Sequence, residues 1–222
     1  MSDQPVSAAK LAEMLGDLAG PESVPAAAFD LTARVRELVE SVVLTDVDAE
    51  TLAEVADEVS AITGRLSARR RQPAIRLIRH PDGRLENLTQ AGSGRLNPQA
   101  PPIELLDLPP DSPPGGEPHP VEIRARCTLT AAHGGSPERV HGGMVALVLD
   151  QVLGIAAHVA GASGLTTSLT VDFRRATPYG EPLEITARCT EFGGGHSRAT
   201  GELRHGDVVT ATATAAFVTD RR

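Results

Sequence analysis

Aromatic residues are almost missing from this chain. They make up 2% of its 222 residues, with no tryptophan and one tyrosine, Tyr179. Surfaces that stack on unpaired bases depend on aromatic platforms, so no nucleic-acid partner is expected. Cysteine is scarce as well: Cys127 and Cys189 are the only two. Both fall in strand-like runs, and two cysteines do not make a disulfide framework, so they read as buried reduced thiols. Positive charge is in deficit, giving a formal net charge of −8, and nearly all of it is arginine. That balance argues against bulk attraction to nucleic acid or anionic membrane, while leaving room for local arginine clamps on an anion. The first residues lack the basic start and apolar run of a signal peptide. No continuous apolar run approaches the roughly 18 residues that span a bilayer. A cytoplasmic protein without a membrane partner is the expectation.

Other chemistries are also missing. The seven histidines (His80, His119, His133, His141, His158, His196 and His205) show no i, i+4 pairing and no cysteine-linked spacing, so no metal site is expected. There is no Gly-x-Ser-x-Gly elbow and no phosphate-binding P-loop, and no cofactor is implied.

What is present is a hydrophobic fraction of 41%, enough for a real core built from Val, Leu, Ile and Ala. Residues 1–27 read as a flexible N-terminus, with a short helix conceivable near Lys10–Leu18. Residues 28–78 read as a helical hairpin. Leu31, Val35, Leu38 and Val42 recur at helical spacing, as do Leu52, Val55, Val59, Ile62 and Leu66. Thr45–Asp48 offers turn and cap chemistry between them, and Arg69–Arg71 suit a helix C-terminus. Packing or oligomerisation is the expected role of this hairpin. Residues 79–119 read as a Pro-rich linker wrapping over the next domain, because nine of the 17 prolines lie between Pro98 and Pro120. Ile103–Leu108 fits a short strand there, confined to a sheet edge.

From 120 to 222 the period becomes two. Val121, Ile123, Ala125, Cys127 and Leu129 alternate with polar residues, and similar alternation returns at 166–173, 183–189, 199–203 and 209–217. Gly193-Gly194-Gly195 and His205-Gly206-Asp207 mark turns. Between the first strand and the rest lies Arg139-Val140-His141-Gly142-Gly143-Met144, opening a long apolar helix that runs to about Ala160. Its stripe of Met144, Val145, Val148, Leu149, Val152, Leu153, Ile155, Ala156 and Val159 should pack on the sheet. Asp150 falls on the other side, among Ala146, Gly154 and Ala157. Small residues around one acid suggest close approach by a substrate or a second subunit. The free N–H groups and dipole at a glycine-led helix start favour a negative oxygen. The fold class is therefore α+β, one helix against an antiparallel sheet.

Val140-His141-Gly142-Gly143-Met144, with Asp150 nine residues after the histidine, resembles the signature of the hotdog-fold acyl-CoA thioesterases of the PaaI type, within the thioesterase superfamily. Thr166 to Pro178 resembles the strand that follows the helix in that family. The likeness extends from about residue 97, where Leu96–Pro102 resembles a lead-in segment of its longer members, to the C-terminus. The resemblance implies a sheet wrapped around the central helix. It also implies a homo-oligomer, dimer or tetramer, with active sites at the subunit interface, acting on an acyl-CoA. Carried over, Asp150 would be general base or direct nucleophile, and Gly143 N–H, with Gly142, would polarise the thioester carbonyl. His141 would shape the loop or bond the carbonyl or water, and Thr166 would orient the water from the partner subunit. Ser168, Arg174, Arg175 and Arg198 would contact substrate, the arginines serving its phosphates. Leu147, Gly154 and His158 would help wall the acyl pocket.

Two departures stand out. The Asn or Gln that some members carry about six residues before the glycine pair is absent, His133–Glu138 standing there instead. Ala176 replaces a usual proline. The missing amide and the helical extension motivate the alternative, a non-catalytic acyl-CoA-binding or regulatory hotdog protein. An enoyl-type hydratase ranks last, for want of an Asp/His pair at hydratase spacing.

Overall fold

Side-chain period changes at Pro120, and the architecture changes with it. The computed structural model describes residues 18–72, 74–109 and 116–218. The helix conceivable near Lys10–Leu18 lies almost wholly outside them. Before Pro120 come helices α1 (Ala26–Leu44) and α2 (Ala49–Ser67). Asp48 caps α2, its carboxylate accepting the Thr51 N–H at 3.0 Å, which satisfies one of the free donors of the first turn. Arg65 occupies the last turn of α2, and Arg69–Arg71 follow the helix instead of ending it. The two helices form the consecutive pair expected, but their apolar stripes stay open: Val42 and Leu44 are 61% and 64% exposed. Only α1 as far as about Glu40 is seated on the rest of the chain. Phe29 and Ala28 pack with Val24, Ile78, Leu88 and Leu96 in a small cluster of their own.

The segment after α2 has more structure than its sequence suggests. Strands β1 (Leu77–Arg79) and β2 (Leu85–Asn87) form a hairpin too short for periodicity to register. β3 (Glu104–Leu105) joins the main sheet at its edge, beside β4 (Val121–Thr128). Proline on both sides of β3 suits that position, where one row of backbone donors is not needed.

After β4 the chain forms the short pair β5 (Gly134–Ser136) and β6 (Arg139–Val140). It then enters helix α3 (Gly142–Val159). It returns through β7 (Leu165–Phe173), β8 (Pro182–Gly193), β9 (His196–His205) and β10 (Val208–Val218). The main sheet is antiparallel in the order β3-β4-β8-β9-β10-β7. In β4 the alternation is strict: Val121, Ile123, Ala125 and Cys127 are buried and their neighbours exposed. The sheet curls around α3 and buries Val145, Val148, Leu149, Val152, Leu153, Ala156 and Val159; Met144 and Ile155 are partly buried, and Ala157 joins the buried face. By length and composition α3 would also suit a bilayer, but its apolar face is spent on the sheet. One helix inside a wrapped sheet is the hotdog fold.

Gly194 and Gly195, at φ +60° and +81°, let β8 turn straight into β9, a backbone state that other residues rarely adopt. Cys127 and Cys189 are free and buried. Burial pushes their thiols up to about 12 and about 11, with Glu191 adding to the second, so neither offers a reactive thiolate.

Candidate functional site

The site has two parts, both on α3. The first is the helix start. His141 sits at the N-cap in extended backbone, and its Nδ1 accepts the Gly143 N–H at 2.9 Å. Its own N–H donates to the His133 carbonyl at 2.9 Å. The donor that sequence reasoning assigns to a substrate carbonyl is thus held by a neighbouring imidazole, whereas the Gly142 N–H has no partner among the described residues. A Cβ on Gly142 would stand 3.2 Å from Cζ of Phe173, so the missing side chain lets that ring close over the helix start.

Beside it lies a cleft of about 370 Å³, lined in part by Arg139, Gly142, Phe173, Arg174 and Arg175. Three arginines border it beside the positive end of a helix, an arrangement that suits an anionic group. Arg174 is only loosely held, its nearest carboxylate oxygen, on Asp172, lying 3.4 Å away. The structure therefore brings Arg174 and Arg175 to the helix start. Sequence reasoning missed Arg139 and Phe173. Arg139 forms a bridge with Pro178, and its place just before the His-Gly-Gly run was the available signal.

The loop is braced from α1. Glu40 accepts the Ala131 N–H at 3.4 Å, and His133 Nδ1 accepts the Thr130 N–H at 3.0 Å. Burial holds the His133 ring below its usual range; nearby Arg36 acts in the same direction, while Glu40 opposes it. A depressed folded-state value means the unfolded chain binds the proton more readily. This contribution to stability is complete above the usual histidine range and is lost as pH falls through the lower, folded-state value. His133→Asn should therefore show a flatter fall of Tm on acidification below about pH 6.5 than the parent chain. Parallel melts over a pH series check this; identical curves would remove His133 from the account.

The second part is Asp150, half-buried on α3. Its Oδ1 accepts the Thr166 hydroxyl at 3.2 Å. This contact comes from a break in strand register. Ala216 pairs with Ser168, but the next residue of β10, Phe217, pairs with Thr166, leaving Thr167 as an extra residue in β7. Phe217 is buried against α3, so its partner Thr166 faces the helix. In a regular strand Thr166 would share a face with Ser168 and Thr170. Bulges of this kind re-aim a side chain, and the Thr167 hydroxyl pins this one by donating to the Ala216 carbonyl at 3.1 Å.

Three expectations change. Thr166, assigned to the partner subunit, meets the Asp150 of its own chain, because the bulge turns it inward. Ser168 lies on the outer face of the sheet and does not join the site, since its register partner Ala216 alternates with buried Ala215 and Phe217. Arg198 shares that outer face, opposite Ala216, and pairs with Glu191 at 3.6 Å. It is turned away from α3 by simple alternation.

The two parts are separated along the helix. Gly143 and Asp150 are seven residues apart, which at about 1.5 Å per residue is roughly 10 Å. One carbonyl group needs its donor and its attacking group each within about 3 Å. A single copy of α3 cannot provide both. Among the described residues no group of three or more His, Cys, Asp or Glu is placed to hold a metal ion.

Comparison with known proteins gives the family. The thioesterase superfamily pattern matches residues 138–212, from the residue before Arg139 into β10. The crystal structure of RHA08564, a thioesterase superfamily protein, is 30% identical; the match covers 91% of this chain and 97% of that one, with a TM-score of 0.73. It is not confined to the sheet and its helix. Partial likenesses include a putative thioesterase related to phenylacetic acid degradation from Ralstonia eutropha, 29% identical over 44% of this chain and 76% of that one, TM-score 0.42. Another is the E. coli PaaI protein, 20% identical over 52% and 82%, TM-score 0.45. No curated protein sequence matches. With a match that spans nearly the whole of both chains, this chain belongs to the thioesterase superfamily.

Proposed function

We propose that this chain hydrolyses an acyl-CoA to the free acid and CoA, working as a homodimer whose sites each combine the helix start of one copy with Asp150 of the other. Membership of the family supports thioester hydrolysis in general; the acyl-CoA substrate and the assignment of steps are our reading. The observation that carries it is the Asp150–Thr166 contact, which fixes a carboxylate beside the open edge of the sheet. β7 is that edge, exposed over most of its length, with Leu165 66% and Phe173 57% exposed. A long edge strand of this kind is suited to pairing with a second copy.

In this mechanism Asp150 takes a proton from water as the water oxygen attacks the thioester carbon. The oxyanion that forms accepts hydrogen bonds from the amides at Gly142 and Gly143, the second becoming free when the substrate oxygen displaces the His141 ring. The C–S bond then breaks, and the proton held on Asp150 passes to the departing thiolate. Direct attack by the carboxylate is the variant of the same site. Arg139, Arg174 and Arg175 supply cations for the CoA phosphates.

Release of CoA thiol from a panel of acyl-CoA substrates tests this, and enzyme-like turnover on at least one is expected. The capped state of Gly143 N–H favours a second reading, a protein that binds acyl-CoA without cleaving it. That reading predicts a raised Tm with CoA thioesters and no thiol release, a result that would overturn the hydrolase.

A further inference from the structure

A cleft of about 570 Å³ lies between the 80–108 segment and the C-terminal half of α3, within the range of small-molecule sites. Its apolar lining comes from Leu85, Ile103, Leu105 and Leu108 on one side and Ile155 and Val159 on the other. It is separate from Asp150. Gln151, Ile155, His158 and Val159 mark its face of the helix, whereas Asp150 is turned about 100° from Gln151, toward β7. His158, expected to help wall an acyl pocket at the subunit interface, lines this cleft instead.

The wall is tied down. Gln151 accepts from Gln90 Nε2 at 2.6 Å and donates to Ser93 Oγ at 3.0 Å. Gln90 in turn accepts the N–H groups of Gly92 and Ser93 at 2.6 and 2.8 Å. The α1 side chain of Arg36 donates to the Asn97 and Ala100 carbonyls at 3.0 and 3.3 Å. An apolar hollow walled on one side by a fastened strap is a built site, not a gap left by loose chain.

The charges at its mouth are mostly matched already. Glu86 is held by both Arg95, at 2.7 Å, and His80, at 2.8 Å. Glu104 is paired with Arg126 at 2.7 Å. Arg84 differs. Its side chain is 27% exposed, and its nearest carboxylate oxygen, on Asp82, is 3.9 Å away and belongs to a side chain 60% exposed. That leaves an under-used cation beside an apolar hollow.

We propose that this cleft binds a free aliphatic carboxylic acid, with its tail against Ile155 and Leu105 and its carboxylate on Arg84. The inference stands apart from the acyl-CoA reading, although an acid is also the product class that reading gives. Calorimetric titration of the full chain with hexanoate, octanoate, decanoate, dodecanoate and hexadecanoate tests it. Affinity should rise about fourfold per added methylene until the tail reaches the far wall, and then stop rising. Arg84→Gln should weaken binding about tenfold, and decanol should bind the parent chain no better than decanoate binds that variant. Ile155→Phe, which partly fills the hollow where the tail lies, should weaken binding at least tenfold. Leu108→Phe, on the strap, makes the same test if the helix variant melts early. Thiol release from acyl-CoA is read in parallel on the same variants, which separates failure here from failure of the hydrolase. Absence of binding, affinity climbing through hexadecanoate without a stop, or indifference to both filling variants would overturn the proposal.

Discussion

Asp150→Asn should slow thiol release from acyl-CoA by about a hundredfold to ten-thousandfold, the span commonly lost with a positioned acid or base. The substitution keeps the size of the side chain and its acceptor for the Thr166 hydroxyl, so the fold should stand and Tm should move little. What it removes is the capacity to take a proton from water or to attack the carbonyl. Thr166→Val is the companion experiment. It deletes the 3.2 Å hydrogen bond that orients the carboxylate without deleting the carboxylate. A loss of about tenfold, mostly in kcat, is expected if the hydroxyl holds Asp150 for reaction. Turnover of Asp150→Asn equal to that of the parent chain would end the assigned mechanism, whatever Thr166 shows.

The largest effect on stability is expected at a residue with no side chain. Gly201 of β9 lies opposite Ala187 and Ala213, both buried, on the face of the sheet beneath α3. A Cβ there would stand 2.7 Å from the Thr186 carbonyl oxygen and 3.1 Å from Cδ2 of Leu153. The leucine tip can shift; a carbonyl fixed in a central ladder cannot. Gly201→Ala should therefore destabilise by about 1–3 kcal/mol, the usual range for overpacking a filled core. That is a Tm loss of roughly 2–4 °C per kcal/mol for a chain of this size. Gly193→Ala is the control, with nothing within 4 Å of the added atom. Equal Tm values for the two variants would show that α3 is not seated as closely on β9 as the geometry requires.

Much of this fold is legible in the sequence because its signals are local. The two-residue period of β4 and the stripe on α3 depend only on which neighbours are apolar. The hairpin at Gly194 and Gly195 depends only on backbone freedom. The candidate site is legible in part for the same reason: His141, Gly142, Gly143 and Asp150 ride on one helix, so their relative placement follows from helix geometry. What escapes is set by other elements. The side on which Thr166 emerges is decided by the pairing of Phe217, some fifty residues later in the chain, and no period within β7 reveals it. Ser168 and Arg198 looked plausible by residue type, but their faces follow from the same register. The claim of His141 on the Gly143 amide depends on a ring rotation, and the hollow beneath the 80–108 segment depends on a strap whose proline content masks its contacts.

The extra residue in β7 makes this strand one that is read in two frames. From Ser168 onward its residues keep step with the sheet; at Thr166 they keep step with the helix, and Thr167 is the single beat between the two. The chemistry at Asp150 is therefore bound to how the strand is paired more tightly than to the kinds of residue in it. Another side chain at position 167 leaves the extra place intact and with it the direction of Thr166. The same letters run in even step would set Thr167 opposite Phe217, turn the Thr166 hydroxyl to the far surface and leave the carboxylate without its guide.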